Sequence, residues 1–203
     1  RLGITVGIIG CNWGGTSASA WLKREYADGE TAVYFEDYDS ATAGKSEQQL
    51  KQDYLDYQAY HNEWERKSAE YYSNTPNPTW DGCLAYCGEN KYPGPASPLN
   101  PMSPGVLHKS MIERIAPYTM TGVIWYQGES DDHRPGMYYK LLNQMIRNWR
   151  DDWNDDELFF VIGQLPMHRW EADPDFKNWC AIREAQAKTA RTTAGTALAV
   201  LTD

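Results

Sequence analysis

Residues 121–132 read Thr-Gly-Val-Ile-Trp-Tyr-Gln-Gly-Glu-Ser-Asp-Asp. The apolar run at 123–126 has the profile of a short buried strand. It passes without a spacer into Gln127, Gly128, Glu129 and Ser130, and then into two carboxylates. In open α/β sheets ligands bind just outside the carboxyl ends of strands, so polar groups packed at such an end are site candidates. The competing reading is that Gly128 turns the chain while Glu129 and Asp131 sit in water.

Working outward, residues 106–115 predict a helix closed by Pro117, which feeds the central strand. On the other side Pro135 starts a helix to about residue 153, with Tyr138, Leu141, Leu142, Met145, Ile146 and Trp149 inward at helical spacing. Residues 158–165 predict the next buried strand, 176–192 a helix and 197–201 a last strand, ending at Thr202 and Asp203. At the start of the chain, residues 4–9 (Ile-Thr-Val-Gly-Ile-Ile) are short and β-branched, again a strand pattern. Gly10 ends that run, Asn12-Trp13-Gly14-Gly15-Thr16-Ser17 follows, and a helix is expected from 18–23. Free backbone N–H groups at such a helix start favour an anion or a developing negative oxygen. The plainer reading is that Gly14 and Gly15 only supply positive φ for a turn. The order β-α-β-α-β-α-β with apolar strands predicts an α/β fold, a parallel sheet sandwiched by helices in three layers.

Between these parts the chain is less regular. Residues 28–46 are acidic and read as surface loop. Ala-Gly-Lys-Ser at 43–46 ends like a phosphate loop, but position 39 is Asp39 where that motif needs glycine. Ser46 with Gln49 forms a capping box for a long helix, 47 to about 72, with Leu50, Tyr54, Tyr57, His61, Trp64 and Tyr71 on one face. That stripe reads as packing more readily than as a sugar platform. Residues 73–105, rich in Pro and Gly, read as a long loop insertion that could border a substrate cleft.

The 203 residues suffice for one domain with a sizeable core, and 41% hydrophobic with 23% charged residues is globular composition. A net charge of −9 argues against nucleic acid and anionic membrane surfaces as partners, since both repel an acidic face. No apolar run reaches the roughly 20 residues of a membrane helix, and residues 1–10 lead directly into the first predicted strand without a leader pattern. Cys83 and Cys87, four apart, could close a small disulfide; without a second ligand pair the spacing is weak evidence for zinc. Cys11 and Cys180 read as buried, inert thiols. The compartment's redox state stays open.

Trp-Tyr-Gln-Gly-Glu-Ser at 125–130, Asn-Trp-Gly-Gly-Thr at 12–16 and Ile-Arg-Glu-Ala-Gln at 182–186 together resemble the sialate O-acetylesterase family of SGNH hydrolases. The stretch 104–117 is similar to that family's run-up to its Tyr-Gln-Gly-Glu motif. The resemblance implies residues 1–203 as the central part of one SGNH-type, flavodoxin-like esterase domain that removes acetyl esters from sugars, sialic acid first among them. An acetylxylan-type esterase and an inactive carbohydrate-binding relative are the alternatives. It implies an acetylated carbohydrate as substrate, no cofactor and no metal, and its substrate class favours a secreted or periplasmic location.

Acyl-enzyme ester hydrolysis needs a nucleophile, a base, an orienter for that base and oxyanion donors. No Gly-x-Ser-x-Gly elbow occurs. The family's nucleophile lies in Gly-Gln-Ser-Asn after a first strand and its base in Asp-x-x-His near the end; neither tetrapeptide is here. Asp203 resembles the aspartate that opens the final stretch. His61, His108, His133 and His168 match no catalytic position. The resemblance therefore expects a separate N-terminal segment to supply the nucleophile strand, lying between residues 4–9 and 123–126. The oxyanion hole carries over to Gly14 or Gly15 and to the side-chain amide of Gln127, with Trp13, Glu129 and Ser130 as substrate contacts. Glu129 and Asp131 suit holding Gln127 or a substrate hydroxyl. Arg183 is expected as a structural ion-pair partner. Two rival readings are weaker. Ser130 as nucleophile would need an Asp-x-x-His that is absent, and His133, Asp131 and Asp132 on one loop span make poor geometry for a single metal ion.

Overall fold

The central run forms strand β1 (Gly122–Trp125), followed by helix α5 (Pro135–Trp153), β2 (Phe159–Gln164), α6 (Lys177–Thr192) and β3 (Thr196–Val200). Upstream lie α1 (Val33–Thr42), α2 (Glu47–Asn74), α3 (Trp80–Cys87) and the short α4 (Glu113–Ile115), which continues a π-helical turn at His108–Ile112. The computed structural model describes residues 3–116, 118–168 and 173–201. Two compact units divide the chain: Arg1–Phe35 with Pro104–Asp203, and Glu36–Ser103.

In the first unit all pairings are parallel, in the order β1-β2-β3. Each connection contains a helix, as parallel neighbours require. Register decides which side chains share a face: Val123 pairs with Phe160 and Trp125 with Ile162, and Phe160 and Ile162 pair in turn with Thr196 and Leu198. Helix α5 covers this face. Its predicted stripe Tyr138, Leu141, Leu142, Met145, Ile146 and Trp149 is buried throughout. The Trp149 ring meets Trp125 edge-on at 5.6 Å and Phe160 at 6.0 Å, while Trp21 meets Trp125 at 6.0 Å. Helix α6 reaches the same face, where Gln164 Nε2 donates to the Arg183 carbonyl at 3.2 Å. The fold is thus the expected α/β type with a parallel sheet. On the opposite face Ile124 is 83% exposed, and Phe159 is also open to solvent.

Start and stop signals act as their chemistry dictates. Pro135 opens α5 and Asn154, in the left-handed region, closes it. The Asp173 carboxylate accepts from Trp179 N at 2.9 Å at the start of α6.

Five sequence expectations need correction. Residues 4–9 form no strand: they are irregular and exposed, and no ladder joins them to β1. A strand pattern yields a strand only where a partner ladder satisfies its backbone groups, and among the described residues none lies beside this one. Residues 28–46 are not loop throughout, because α1 occupies Val33–Thr42; Tyr34 and Phe35 supply a buried anchor in an otherwise acidic stretch. The insertion 73–105 likewise contains α3, started by the Thr79 hydroxyl, which accepts from Gly82 N at 3.1 Å. The 18–23 helix start is a 3-10 turn, Ala18–Trp21. Cys180 is exposed rather than buried and Cys11 half-buried, since Cys180 falls on the outward side of α6. Pro117, Thr202 and Asp203 lie outside the described residues.

In the second unit the capping box forms as read, with Ser46 Oγ accepting from Gln49 N and Gln49 Oε1 accepting from Ser46 N at 2.8 Å. Of the predicted stripe Leu50, Tyr54 and Trp64 are buried along α2, while Tyr57, His61 and Tyr71 are half-buried, with Tyr57 stacked on His61 at 5.4 Å. Helix α3 packs on α2 through Trp64, Cys83 and Cys87.

His108, fully buried in the first unit, shows what a histidine does here when it is structural. Its Nε2 lies 2.6 Å from Asp152 Oδ2, which also accepts from Asn148 Nδ2 at 2.9 Å, and Lys23 pairs with the other carboxylate oxygen. Burial pulls the Asp152 carboxyl up, but hydrogen bonds from His108 and Lys23 outweigh it and hold the group below its ordinary value. A depressed folded-state value gives stability that is fully present above the unfolded value, near 3.8, and lost as pH falls through the folded one. Asp152→Asn should therefore lower Tm at neutral pH, with the deficit against wild type shrinking below about pH 4. Thermal melts from pH 7 to pH 3 test this; a deficit independent of pH would refute it.

Candidate functional site

Gln127 leaves the end of β1 and is 8% exposed. Its side-chain amide donates to the Thr16 carbonyl at 2.9 Å and to Asp131 Oδ2 at 2.7 Å. The Tyr138 hydroxyl, from α5, donates to the Gln127 main-chain carbonyl at 2.9 Å and lies 3.1 Å from its Oε1. From α6, Gln186 Nε2 donates to the same carbonyl at 2.9 Å while its Oε1 accepts from Leu165 N at 3.0 Å, just past β2. Three segments far apart in sequence, around residues 16, 127 and 186, meet at one residue.

Asp131 is the second centre. It is fully buried, in the 3-10 turn Glu129–Asp131. Oδ1 accepts from the Ser17 hydroxyl at 2.6 Å and from the Tyr34 hydroxyl at 3.2 Å; Oδ2 accepts from Ala18 N at 2.9 Å and from Gln127. Ala18 N is a free N–H at the start of the 3-10 turn Ala18–Trp21, the kind of donor that attracts negative charge. Burial, reinforced by the Asp131 charge, pushes the Tyr34 hydroxyl well above its ordinary value, so it stays a donor. The expectation that Asp131 holds Gln127 describes this geometry.

The turn at residues 12–16 is fastened from inside. Thr16 Oγ1 donates to the Trp13 carbonyl at 2.9 Å and accepts from Trp21 Nε1 at 2.9 Å. Trp13, Gly14 and Gly15 stay exposed on its outer side, and Gly15 has φ +74°. Gly128 has φ +150°, and a Cβ there would stand 2.9 Å from Ile182 Cγ2 and 3.1 Å from Leu165 Cδ1. Its turning role is thus enforced twice, by backbone conformation and by close packing. Glu129 is exposed and Ser130 half-buried. Burial and the neighbouring Glu129 raise the Tyr126 hydroxyl above its ordinary value.

The structure brings Gln127 against the Gly14–Gly15 turn through Thr16. It places Trp13, Glu129 and Ser130 at the surface nearby in sequence, without linking Glu129 or Ser130 to that turn. Arg183, expected in an ion pair, donates to the Leu165 carbonyl. Sequence reasoning did not single out Gln186, Tyr138 as a polar group, Ser17 or Tyr34. Gln186 was legible as the last residue of the 182–186 motif; Tyr34 and Ser17 carried no signal, because only folding brings them to Asp131. His133 meets the Tyr34 ring edge-on at 6.3 Å, and Asp131 accepts from four donors.

Comparison with known proteins bears on this arrangement. Residues 99–200 match the family model described as carbohydrate esterase, sialic acid-specific acetylesterase. The chain belongs to this family. Sialate O-acetylesterases of Pongo abelii and Homo sapiens are each 27% identical to it over 133 residues. That alignment takes in 53% of this chain and 25% of theirs, so the chain spans about a quarter of the length of these curated relatives. No solved structure matches the chain. The matched region contains Gln127, Asp131, Tyr138 and Gln186, whereas the Gly14–Gly15 turn that they hold lies outside it.

Asp131→Ala would leave the Tyr34 hydroxyl, Ala18 N and one Gln127 proton without an acceptor, and the Ser17 hydroxyl with only Ser19 Oγ, 2.9 Å away. At about 1–3 kcal/mol for each buried group left unpaired, a loss of at least about 3 kcal/mol is expected. Urea unfolding should show it as a lower midpoint, with Asp131→Asn in between. An unchanged midpoint in the alanine variant would refute the hub role.

Proposed function

We propose that the whole protein is a serine esterase that releases acetate from acetylated sugars, with O-acetylated sialic acid as the leading substrate, by Ser-His-Asp acyl-enzyme chemistry. The observation that supports this most is the convergence of the three family-like motifs on Gln127: Thr16, Gln127 with Asp131, and Gln186 are joined by direct hydrogen bonds. Membership of an acetylesterase family supports the reaction class. In this proposal the nucleophilic serine and the histidine base come from polypeptide outside residues 1–203, and a further strand carries the serine beside β1.

The part assigned to this chain is the oxyanion side of the site. Gly14 or Gly15 offers a main-chain N–H on an exposed turn. Gln127 already spends both amide protons, on Thr16 and Asp131. Its first contribution is therefore to hold that turn in place; to donate directly to a tetrahedral intermediate it would exchange the Thr16 carbonyl for the oxyanion. An amide suits either task because it donates without titrating. Trp13, Glu129 and Ser130 are assigned to the sugar, as an apolar face and two hydroxyl partners.

Purified full-length protein should hydrolyse p-nitrophenyl acetate and lose that activity to a serine-directed inhibitor; metal-dependent turnover insensitive to the inhibitor would refute the proposal. Residues 1–203 alone should give no turnover above background, and clear turnover would return attention to Ser130. Gln127→Ala in the full-length enzyme should lower kcat by roughly 10²–10³ with a smaller change in KM, since the group acts on the transition state. Near-normal kcat would make Gln127 a packing residue.

A further inference from the structure

The second unit contains a pair of thiols that the proposed esterase chemistry does not use. Cys83 and Cys87 are both buried, and their Sγ atoms lie 3.7 Å apart. They are four residues apart on α3, so they share one face of the helix. Cys87 is the last residue of α3, and Gly88 follows with φ +87°. The backbone leaving that turn is read by two side chains of α2: Trp64 Nε1 donates to the Gly88 carbonyl at 2.9 Å, and the Tyr60 hydroxyl donates to the Glu89 carbonyl at 2.6 Å. The Ser68 hydroxyl lies 3.4 Å from Cys83 Sγ.

We propose that Cys83 and Cys87 are a redox-labile dithiol that closes to an intrahelical disulfide and thereby staples the last turn of α3. The sulfurs are already in contact, so no refolding is needed to bring them together. Side chains four apart on a helix hold their Cβ atoms about 5–6 Å apart, whereas a disulfide needs about 3.5–4.5 Å. Closure must therefore tighten the turn by about 1–2 Å. That adjustment is available at the Cys87–Gly88 end, where the helix stops and glycine lifts the steric limit on φ. The residual strain makes the bridge easy to reduce, which separates it from a permanent structural disulfide.

With a small-molecule disulfide such as oxidised glutathione as oxidant, the step is thiol exchange. The Cys87 thiolate, the less buried of the two, attacks one glutathione sulfur and expels glutathione thiolate. The Cys83 thiolate then attacks the Cys87 sulfur, forms the intrahelical S–S bond and expels the second glutathione. Two protein thiols lose two electrons and two protons, and one oxidised glutathione becomes two reduced ones. Burial pushes the Cys87 thiol up, so exchange is slow at neutral pH and faster under mildly alkaline conditions.

The test uses the 203-residue chain, incubated at mildly alkaline pH with oxidised glutathione, alkylated with iodoacetamide and digested with trypsin. The peptide spanning residues 68–91 should be found two hydrogens lighter and free of alkyl groups. Excess reduced glutathione should restore two alkylatable thiols, and exposed Cys180 should instead carry a glutathione adduct. In parallel, the indole N–H resonance of Trp64 should move on oxidation and return on reduction. A peptide that keeps two alkylated thiols, or that carries glutathione on both, would overturn the proposal; a bridge that survives excess reduced glutathione would overturn its lability.

Discussion

The buried carboxylate of Asp131 sets the terms for the region around it. A charge moved from water into a protein interior costs several kcal/mol unless donors replace its hydration. Here four do: the Ser17 and Tyr34 hydroxyls, Ala18 N and the Gln127 amide. They come from three separate pieces of chain, at residues 17–18, 34 and 127, so satisfying one charge fixes the positions of all of them. The turn at 12–16, which forms no regular element of its own, owes its location to this demand and to the Thr16 carbonyl that accepts from Gln127.

The same logic explains why so much amide chemistry is gathered at the carboxyl ends of β1 and β2. Strand ends leave carbonyl and N–H groups with no ladder partner, and buried ones need substitutes. Gln186 serves both strands at once, donating to the Gln127 carbonyl and accepting from Leu165 N. Gly128 makes that bridge possible, because any Cβ there would press on Ile182, Leu165 and Gln186 itself. Catalytic precision in an ester hydrolase rests on donors held rigidly before the reaction begins. In the proposed esterase, a lattice of neutral amides around one saturated carboxylate would supply such rigidity without adding a group that titrates near neutral pH.

Beneath the site, aromatic packing carries the load. Trp21, Trp125, Trp149 and Phe160 touch in sequence, joining the 3-10 turn Ala18–Trp21, β1, α5 and β2. The Trp149 indole donates to the Trp21 carbonyl at 2.9 Å, so the core also fixes the segment that delivers Ser17 and Ala18 to Asp131. Core and site are therefore coupled.

The sequence by itself determined the elements whose periodicity is enforced locally. Helix α5 runs from Pro135 to Trp153 as read, the Ser46–Gln49 box starts α2, and the apolar runs near residues 123, 160 and 198 become parallel strands. It also marked Gln127 and the motif containing Gln186. Only the tertiary structure decided the rest. Residues 4–9 have a strand's composition but no ladder, because pairing is a property of two segments and not of one. Helix α1 escaped detection because its burial rests on Tyr34 and Phe35 within acidic sequence. For Asp131 the sequence offered two readings, an acid in water or a group holding Gln127; that it is a buried hub follows from Ser17, Ala18 and Tyr34, which lie about a hundred residues away and reach it only when the chain is folded.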